Sequence, residues 1–266
     1  MRTVGTVGDY AVDREISAPE GELGFETTHR MLPRRARVRV ATERDAGIRL
    51  MREAAIREAL GHPGVPRVYE VGVADGMPWI ADELVTGEVI AAPIAPEQLA
   101  LVVRDAATIL AHLHRRGVIH DGIWLDAFVR TPERGFPLCL DNWTRARIAD
   151  PGEGRADVYA LGLAISVSLP PSAPRGMLEL VDRMLQPDPA DRLDAAELAA
   201  AAQRLAEGAG GFDDPEIEEV ILLTDLASDP PPTYNRRWTP APPLTIPPTT
   251  APSVAGDGLG RRGADR

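Results

Sequence analysis

The feature that most constrains the fold is a long amphipathic helix that leads into a polar loop, over residues 96–130. Apolar residues recur at helical spacing in its first part: Leu99, Val102, Val103, Ala106, Ile109, Leu110 and Leu113. This stripe predicts a helix over residues 96–116 with one face in a core. In the loop that follows, His120 lies between the apolar pairs Val118–Ile119 and Phe128–Val129. A polar loop anchored by apolar residues on both sides has the outline of a catalytic loop.

Composition predicts a soluble globular protein. The chain has 266 residues, of which 44% are hydrophobic, enough for a buried core. Its net charge of −11 argues against nucleic acid or an anionic membrane as a partner, because both require a basic surface. The single cysteine, Cys139, permits no intramolecular disulfide, no apolar run is long enough to span a membrane, and the N-terminus has no apolar signal core. We therefore expect a cytoplasmic protein.

Two elements are predicted early in the chain. Residues 36–40 alternate with period two and predict a strand, and residues 42–60 show helical spacing that ends at Gly61. Between the predicted first strand, Tyr10–Ile16, and this one, residues 17–25 contain only two glycines. We interpret that segment as a plain hairpin turn, since isolated glycines are a weak signal for phosphate binding.

Five motifs follow one another along the chain. They are Ala-Arg-Val-Arg-Val at 36–40, Gly-Val-Ile-His-Asp-Gly-Ile-Trp-Leu-Asp-Ala at 117–127, Leu-Cys-Leu-Asp-Asn-Trp at 138–143, Arg-Ala-Asp-Val-Tyr-Ala-Leu-Gly at 155–162 and Gln-Pro-Asp-Pro-Ala-Asp-Arg at 186–192. Over residues 9–206 this series resembles the protein kinases, and the block at 155–162 is similar to bacterial serine/threonine kinases in particular.

The resemblance implies an α+β, two-lobed protein kinase-like fold. Its small lobe, residues 9–86, has an antiparallel β-sheet with one helix, and its larger lobe, residues 87–206, is mainly helical. The kinase-like domain is thus predicted over residues 1–206. An acidic amphipathic extension, 207–227, and a Pro-rich disordered tail, 228–266, follow it.

The catalytic loop of the family, H-R-D-x-x-x-x-N, is degenerate here. His120 is retained, but Gly122 stands at the position of the catalytic base, Trp124 at that of a phosphate-contacting Lys, and Ala127 at that of a metal-binding Asn. The base and the Asn are needed for proton abstraction and for metal binding in phosphoryl transfer. We therefore expect no catalytic residues and interpret the chain as a pseudokinase.

The positions that bind the nucleotide in protein kinases are also altered in this chain. The resemblance puts Arg39 at the Lys of V-A-I-K, paired with Glu53 of the following helix, and Asp82 at the gatekeeper position before the hinge residues Glu83–Leu84. Asp141 matches the metal-binding Asp of D-F-G. All 29 basic residues are Arg, so the ammonium that kinases use against phosphates is absent from the chain. We expect at most weak binding of ATP with Mg²⁺.

The remaining implied roles are structural. Asp157 is expected to hold the backbone of the catalytic loop, and Arg192 matches a late structural Arg of the large lobe. His112 and His114 lie two apart on a helix and are interpreted as ordinary boundary residues rather than metal ligands. We expect the function to be that of a regulatory or scaffold module that binds an unidentified protein partner through its lobes or its Pro-rich tail.

Three alternatives remain. A divergent Ser/Thr kinase would use Asp121 or Asp126 as the base and Asp141 for Mg²⁺. An aminoglycoside phosphotransferase-like enzyme shares the loop outline but requires carboxylate and amide side chains at Gly122 and Ala127.

The third alternative is a plain interaction protein whose nucleotide pocket is filled by aromatic side chains. Trp124 and Trp143 are the candidates, although burial in a core is the commoner fate of a Trp.

Overall fold

The computed structural model describes residues 5–208, which form two lobes joined by a short linker. The small lobe is built on a six-stranded antiparallel sheet and one helix, α1, Arg44–Leu60. Its strands are β1 Thr6–Val7, β2 Tyr10–Ile16, β3 Glu22–His29, β4 Arg35–Ala41, β5 Val68–Ala74 and β6 Met77–Glu83, in the spatial order β1-β2-β3-β4-β6-β5.

The alternating sequence of strand β4 gives the strand one apolar face and one charged face. Ala36 and Val38 are fully buried and pack with Trp79 and Tyr10 in the core of the small lobe. Successive side chains of a strand point to opposite faces. Arg37 and Arg39, which alternate with these two residues, therefore point to the other face, toward the large lobe.

The segment between β2 and β3 is a hairpin connection, as the sequence predicts, but it is shorter than expected. The β2–β3 ladder closes at Ile16 and Gly24, and strand β3 already begins at Glu22, which pairs with Ala41 of β4. The side chain of Glu22 is buried beside Arg39.

Helix α1 ends where the sequence predicts, at Gly61, which has the left-handed conformation (φ 57°) that glycine adopts easily. One face of α1 is buried against β4 and β6 through Leu50 and Ala54. The same face carries Glu53 and Arg57, both almost completely buried. The helix therefore brings a carboxylate and a guanidinium into the small lobe.

The large lobe is mainly helical. Its helices are α2 Pro96–Arg115, α3 Arg155–Ser166, α4 Arg175–Met184 and α5 Ala195–Ala206. Helix α2 packs along α5 and supplies much of the core, with Leu99, Val103, Ile109, Leu110 and Leu113 fully buried. Short antiparallel strands complete it: β7 Glu88–Val89, β8 Val118–Ile119, β9 Phe128–Arg130, β10 Leu138–Leu140 and β11 Arg147–Ile148.

The chain between β10 and α3 is short. Two single-turn 3₁₀ helices, Trp143–Arg145 and Pro151–Gly154, flank β11, which pairs with β8 next to the catalytic loop. This compact segment leads directly into α3.

The predicted α+β, two-lobed kinase-like fold is confirmed, with a small antiparallel sheet, one helix beside it and a helical large lobe. The exact domain boundaries stay predictions. Almost all of the predicted extension, 207–227, and the whole Pro-rich tail, 228–266, lie outside the described residues. Within residues 5–208, no helix is long and apolar enough to cross a membrane.

Replacement of Leu110 by alanine tests the role of α2 as the centre of the large lobe. Leu110 is fully buried, so Leu110→Ala should lower the free energy of unfolding by about 2–5 kcal/mol through lost burial and a cavity. Urea unfolding measures this change. Leu101→Ala on the same helix, where the side chain is 39% exposed, is the matched control and should have a much smaller effect. Equal effects of the two variants would show that α2 does not pack as described.

Candidate functional site

Two arginines of β4 enter the cleft between the lobes. Arg37 and Arg39 are two residues apart on the strand, so their side chains leave the same face of the sheet. The opposite face of β4 is the core of the small lobe. Both guanidinium groups are therefore directed at the space in which a kinase-like fold would hold a nucleotide.

Arg37 bridges two carboxylates that belong to different lobes. Its Nε and Nη2 donate to Asp82 at 2.9 and 3.1 Å, and its Nη1 and Nη2 donate to Asp141 at 2.7 and 2.9 Å. Asp82 lies on β6 of the small lobe, whereas Asp141 follows β10 of the large lobe. Each carboxylate thus receives two hydrogen bonds from one planar guanidinium, the geometry that makes Arg pairs strong.

A second layer of charges lies behind this bridge. Arg39 donates to both oxygens of Glu53, with Nη1 at 3.1 Å from Oε2 and Nη2 bonded to Oε1. Arg57 donates from Nη1 to Glu53 at 2.8 Å and to Asp82 at 2.6 Å. Its other nitrogens donate to the carbonyl oxygen of Pro66 at 3.2 and 2.9 Å, which fixes the guanidinium.

These seven side chains form one network, called here the charged cluster. Its members are Arg37, Arg39, Arg57, Glu22, Glu53, Asp82 and Asp141. Three guanidinium groups thus face four carboxylates. The network is shielded from water, since no member has more than 22% of its side chain exposed.

The charges shift the pKa values of Asp82, Asp141 and Arg37 in directions that keep these three groups ionised. Burial alone would raise the pKa of Asp82, but Arg37, Arg57 and Arg39 more than offset this and hold the pKa below its usual range. Burial likewise opposes ionisation of Asp141, and Arg37 again lowers the pKa of that carboxyl. Despite burial, the carboxylates raise the pKa of Arg37 well above its ordinary value. The bridge therefore consists of full charges at neutral pH.

Glu22 is the weakly held member of the cluster. Burial raises the pKa of this carboxyl, and Arg39, its nearest cation at 3.4 Å, only partly offsets that effect. Glu22, in the segment interpreted from the sequence as a hairpin turn, is therefore a carboxylate turned inward, toward Arg39.

The metal-binding position is occupied by protein. Both oxygens of Asp141 accept hydrogen bonds from Arg37, so a cation at Asp141 would have to displace a guanidinium. Ala127, which stands at the position of the second metal ligand, is buried and offers no oxygen from its side chain. Mg²⁺ requires one or two carboxylates together with phosphate oxygens, and this arrangement does not fit it.

His120 and Asp157 hold the degenerate catalytic loop in place. Asp157 accepts hydrogen bonds from the backbone N–H groups of His120 and Asp121, at 2.8 and 2.9 Å, and lies 3.0 Å from Nε2 of His114. His120 donates from Nε2 to the carbonyl oxygen of Asp141 at 3.0 Å, and burial lowers the pKa of its ring. Asp157 makes the contact that the resemblance implies.

The position of the catalytic base has room for a side chain but carries no functional group. A Cβ built on Gly122 would lie 3.6 Å from its nearest neighbour, the Cδ of Arg145, which is an ordinary contact. Gly122 is therefore not required by crowding, and a carboxylate would fit there. Trp124, two residues later, is 46% exposed.

The two alternative bases are on the surface. Asp121 has a left-handed backbone (φ 55°), and its carboxylate lies 3.8 Å from the guanidinium groups of Arg145 and Arg147. Asp126 is exposed within the 3₁₀ turn Leu125–Ala127. Neither carboxylate is a member of the charged cluster that contains Asp141.

The alternative in which Trp124 and Trp143 fill the nucleotide pocket does not hold, and Trp143 has the commoner fate of burial in a core. Trp143 belongs to the core of the large lobe, where its indole N–H donates to the carbonyl oxygen of Leu140 at 2.8 Å. Trp124 points largely into solvent. Arg37, which the sequence analysis did not single out, is the side chain that occupies the cleft.

The hinge and the remaining predicted residues lie around this centre. Glu83 ends β6, where its carboxylate accepts from Arg134 at 2.7 Å and from the backbone N–H of Arg67 at 3.2 Å, and Leu84 is half-buried beside it. Arg192 donates to the carbonyl oxygens of Gln186, at 3.0 and 2.8 Å, and of Arg155, at 2.8 Å. His112 binds the carbonyl oxygen of Leu60 at 2.6 Å.

Sequence reasoning missed Arg37, Arg57 and the inward role of Glu22, although two signals were present. Arg37 lies two residues before Arg39 on a strand, so the assignment of Arg39 to the cleft also assigns Arg37. Arg57 lies four residues after Glu53, on the same face of α1.

The fold and these positions define a protein kinase-like domain. Serine/threonine-protein kinase PknJ of Mycobacterium tuberculosis is 26% identical over 202 residues, which cover 62% of this chain and 34% of PknJ. Serine/threonine-protein kinase PknB of Mycolicibacterium smegmatis is 28% identical over 145 residues, 51% of this chain and 23% of PknB. The match thus spans about a third, or less, of these relatives.

A solved structure shows the same fold. The kinase domain of PknI from Mycobacterium tuberculosis superposes with a TM-score of 0.58 at 22% identity, over 79% of this chain and 99% of that domain. No protein-family model matches the chain. The homologues are bacterial serine/threonine kinases, as the sequence motifs predict.

Removal of the Asp82 charge should destabilise the small lobe. Asp82→Asn leaves the guanidinium groups of Arg37, Arg39 and Arg57 close together without their shared carboxylate. We expect the free energy of unfolding to fall by about 3–5 kcal/mol, as for other buried ion pairs that lose one partner. Chemical denaturation measures the change. Asp126→Asn, which neutralises an exposed Asp, should stay within about 0.5 kcal/mol of wild type.

Asp157 should contribute stability that depends on pH. Burial opposes its ionisation, but His114 and the backbone N–H of His120 lower the pKa of this carboxyl. A lowered pKa stabilises the fold above the unfolded value of about 3.9 and ceases to do so as the pH falls through the folded value. Asp157→Asn should therefore cost about 1–3 kcal/mol at neutral pH. Urea unfolding from pH 7 to pH 3 should show this difference shrinking below about pH 4. A difference independent of pH would contradict the assigned role.

Proposed function

We propose that the chain is a catalytically impaired protein kinase-like protein that acts as a regulatory or scaffold binding module. The observation that carries the proposal is the bidentate contact of Arg37 with Asp141 at 2.7 and 2.9 Å. The one retained metal-binding carboxylate is neutralised by a side chain of the same chain. Phosphoryl transfer depends on metal ions that neutralise charge on the phosphates, so this contact removes a central requirement.

The residues around Asp141 support the same proposal. Gly122 supplies no base, Ala127 supplies no metal ligand, and Arg39 is held by Glu53. Asp82 is fully buried against Arg37, so a charged bridge lies where a purine would need an apolar surface. A nucleotide would have to displace Arg37 from both carboxylates before it could bind.

The alternative of a divergent ATP-dependent Ser/Thr kinase is favoured by one observation, the similarity to relatives named serine/threonine-protein kinases. In this alternative Asp141 would hold the metal ion. The base would have to be Asp121 or Asp126. An aminoglycoside phosphotransferase-like activity meets the same obstacles at Gly122 and Ala127.

The proposed partner is an unidentified protein that binds the lobes or the Pro-rich tail. Neither nucleic acid nor a membrane is proposed, since the chain carries a net charge of −11. The proposed location is the cytoplasm. A kinase-like fold without transfer would offer its lobe surfaces to a partner as a fixed shape.

Nucleotide binding and transfer test this function directly. We expect millimolar ATP with Mg²⁺ to leave the thermal unfolding of the full chain unchanged, whereas a ligand at a hundredfold excess over its dissociation constant would add about 2.7 kcal/mol. We also expect no transfer of labelled phosphate from ATP to the chain or to an added acceptor protein.

The variants separate the possible outcomes. Transfer that is lost in Asp141→Asn would overturn the proposal, and its further loss in Asp121→Asn or Asp126→Asn would identify the base of an active kinase. A Mg²⁺-dependent rise in the unfolding temperature without transfer would show that a nucleotide binds. The contact of Arg37 with Asp141 would then no longer argue against a metal ion in the site. Arg35→Met, which alters an exposed Arg of the same strand, controls for a general effect on the small lobe.

A further inference from the structure

Arg37 is a direct ionic connection between the two lobes. It belongs to β4 of the small lobe, and Asp141 is 104 positions away in the large lobe. We propose that the Arg37–Asp141 pair is an interlobe clamp that holds the cleft closed without nucleotide or metal. This inference rests on the contacts between the lobes and not on the proposed loss of phosphoryl transfer.

The small-lobe half of the clamp is held before it meets Asp141. The guanidinium of Arg37 is fixed by two hydrogen bonds to Asp82. Asp82 is fixed in turn by Arg57, whose other nitrogens donate to a backbone carbonyl. A side chain that is already ordered loses little conformational entropy when it forms a further ion pair, so the pair retains more of its electrostatic gain.

The large-lobe half is equally well anchored. The backbone N–H of Asp141 donates to the carbonyl oxygen of Ala127 at 2.7 Å, and its own carbonyl accepts from His120 at 3.0 Å. His120 is held through its backbone by Asp157 of α3. The clamp thus connects the sheet of the small lobe to a buried helix of the large lobe through a continuous series of hydrogen bonds.

Shielding from water makes this pair stronger than an ordinary surface ion pair. The side chains of Arg37 and Asp141 are only 17% and 22% exposed. Exposed pairs contribute little because water screens them. A largely buried bidentate pair is screened much less, and both partners are held in register.

Other hydrogen bonds between the lobes lie elsewhere. Arg134 of the large lobe binds Glu83 beside the linker, and the N–H of Leu140 donates to the carbonyl oxygen of Gly64 in the α1–β5 loop at 2.8 Å. Two further bonds join α1 to the large lobe, from His112 to the carbonyl oxygen of Leu60 at 2.6 Å and from Arg52 to that of Thr144 at 3.5 Å. These bonds hold the lobes together at the linker, at that loop and along α1. The Arg37 bridge acts inside the cleft, where it fixes how far the lobes close.

The distance between the two lobes reports whether the clamp holds the cleft closed. Spin labels on Met31→Cys, in the β3–β4 turn, and Ser172→Cys, in the loop before α4, report on it in the full chain, since both positions are exposed. Burial raises the pKa of Cys139, the native thiol, to about 12, which protects it from labelling. We expect a single narrow distance distribution in the absence of any nucleotide.

Two substitutions, one in each lobe, are expected to open the clamp. Arg37→Met leaves Asp82 with Arg57 and Arg39, so the small lobe keeps its ion pairs, and Asp141→Asn removes only the charge of the second partner. Each variant should shift the distribution to longer distances and broaden it, and the double variant should add little to either. Arg35→Met, on the same strand, removes an exposed guanidinium whose buried partner Glu26 keeps its pair with Arg14, so it should leave the distribution unchanged.

Each remaining outcome overturns the clamp. Unchanged distances in both Arg37→Met and Asp141→Asn would show that other contacts fix the lobes. A change in Arg37→Met alone would assign the effect to Asp82, and an equal change in Arg35→Met would assign it to β4 in general. Phosphate transfer, measured on the same samples, tests the proposed function separately. If the clamp opens as expected in a chain that transfers phosphate, only the proposed function is overturned.

Discussion

The arrangement of the lobes depends on how four carboxylates are neutralised between them. A buried carboxylate is very unfavourable unless it is paired and hydrogen-bonded, and Asp82 is fully buried. Three guanidinium groups supply the pairing: Arg57 from α1, and Arg37 and Arg39 from one face of β4. These contacts connect α1, β4 and β6 within the small lobe, and Arg37 also bonds Asp141 of the large lobe.

The chain keeps the interactions that build a kinase-like domain and replaces those that handle a phosphate. Asp157 and Arg192 still bind backbone groups, and buried His120 still connects the catalytic loop to Asp141. Gly122 and Ala127, by contrast, carry no functional groups. The structural contacts are made between parts of the protein and need no ligand, so they persist when catalytic side chains are absent.

The motifs allowed much of the site to be predicted. The resemblance to the protein kinases paired Arg39 with Glu53, and the pair is formed and buried. Its burial could not be predicted, because burial depends on neighbours from β3 and β6. The partners of Asp82 could not be predicted either, since its three cations come from two elements distant in sequence.

By itself, the sequence predicted the two-lobed fold and placed Gly122 at the position of the base, in both cases through its resemblance to the protein kinases. The absence of any lysine follows directly from residue identity. Only the tertiary structure decided what fills the cleft. One alternative from the sequence placed Trp124 and Trp143 there, but Trp124 is 46% exposed and Trp143 lies in the core. Arg37 fills it instead, because the pleat of β4 directs a long guanidinium side chain across the cleft, where the fold has placed carboxylates from both lobes.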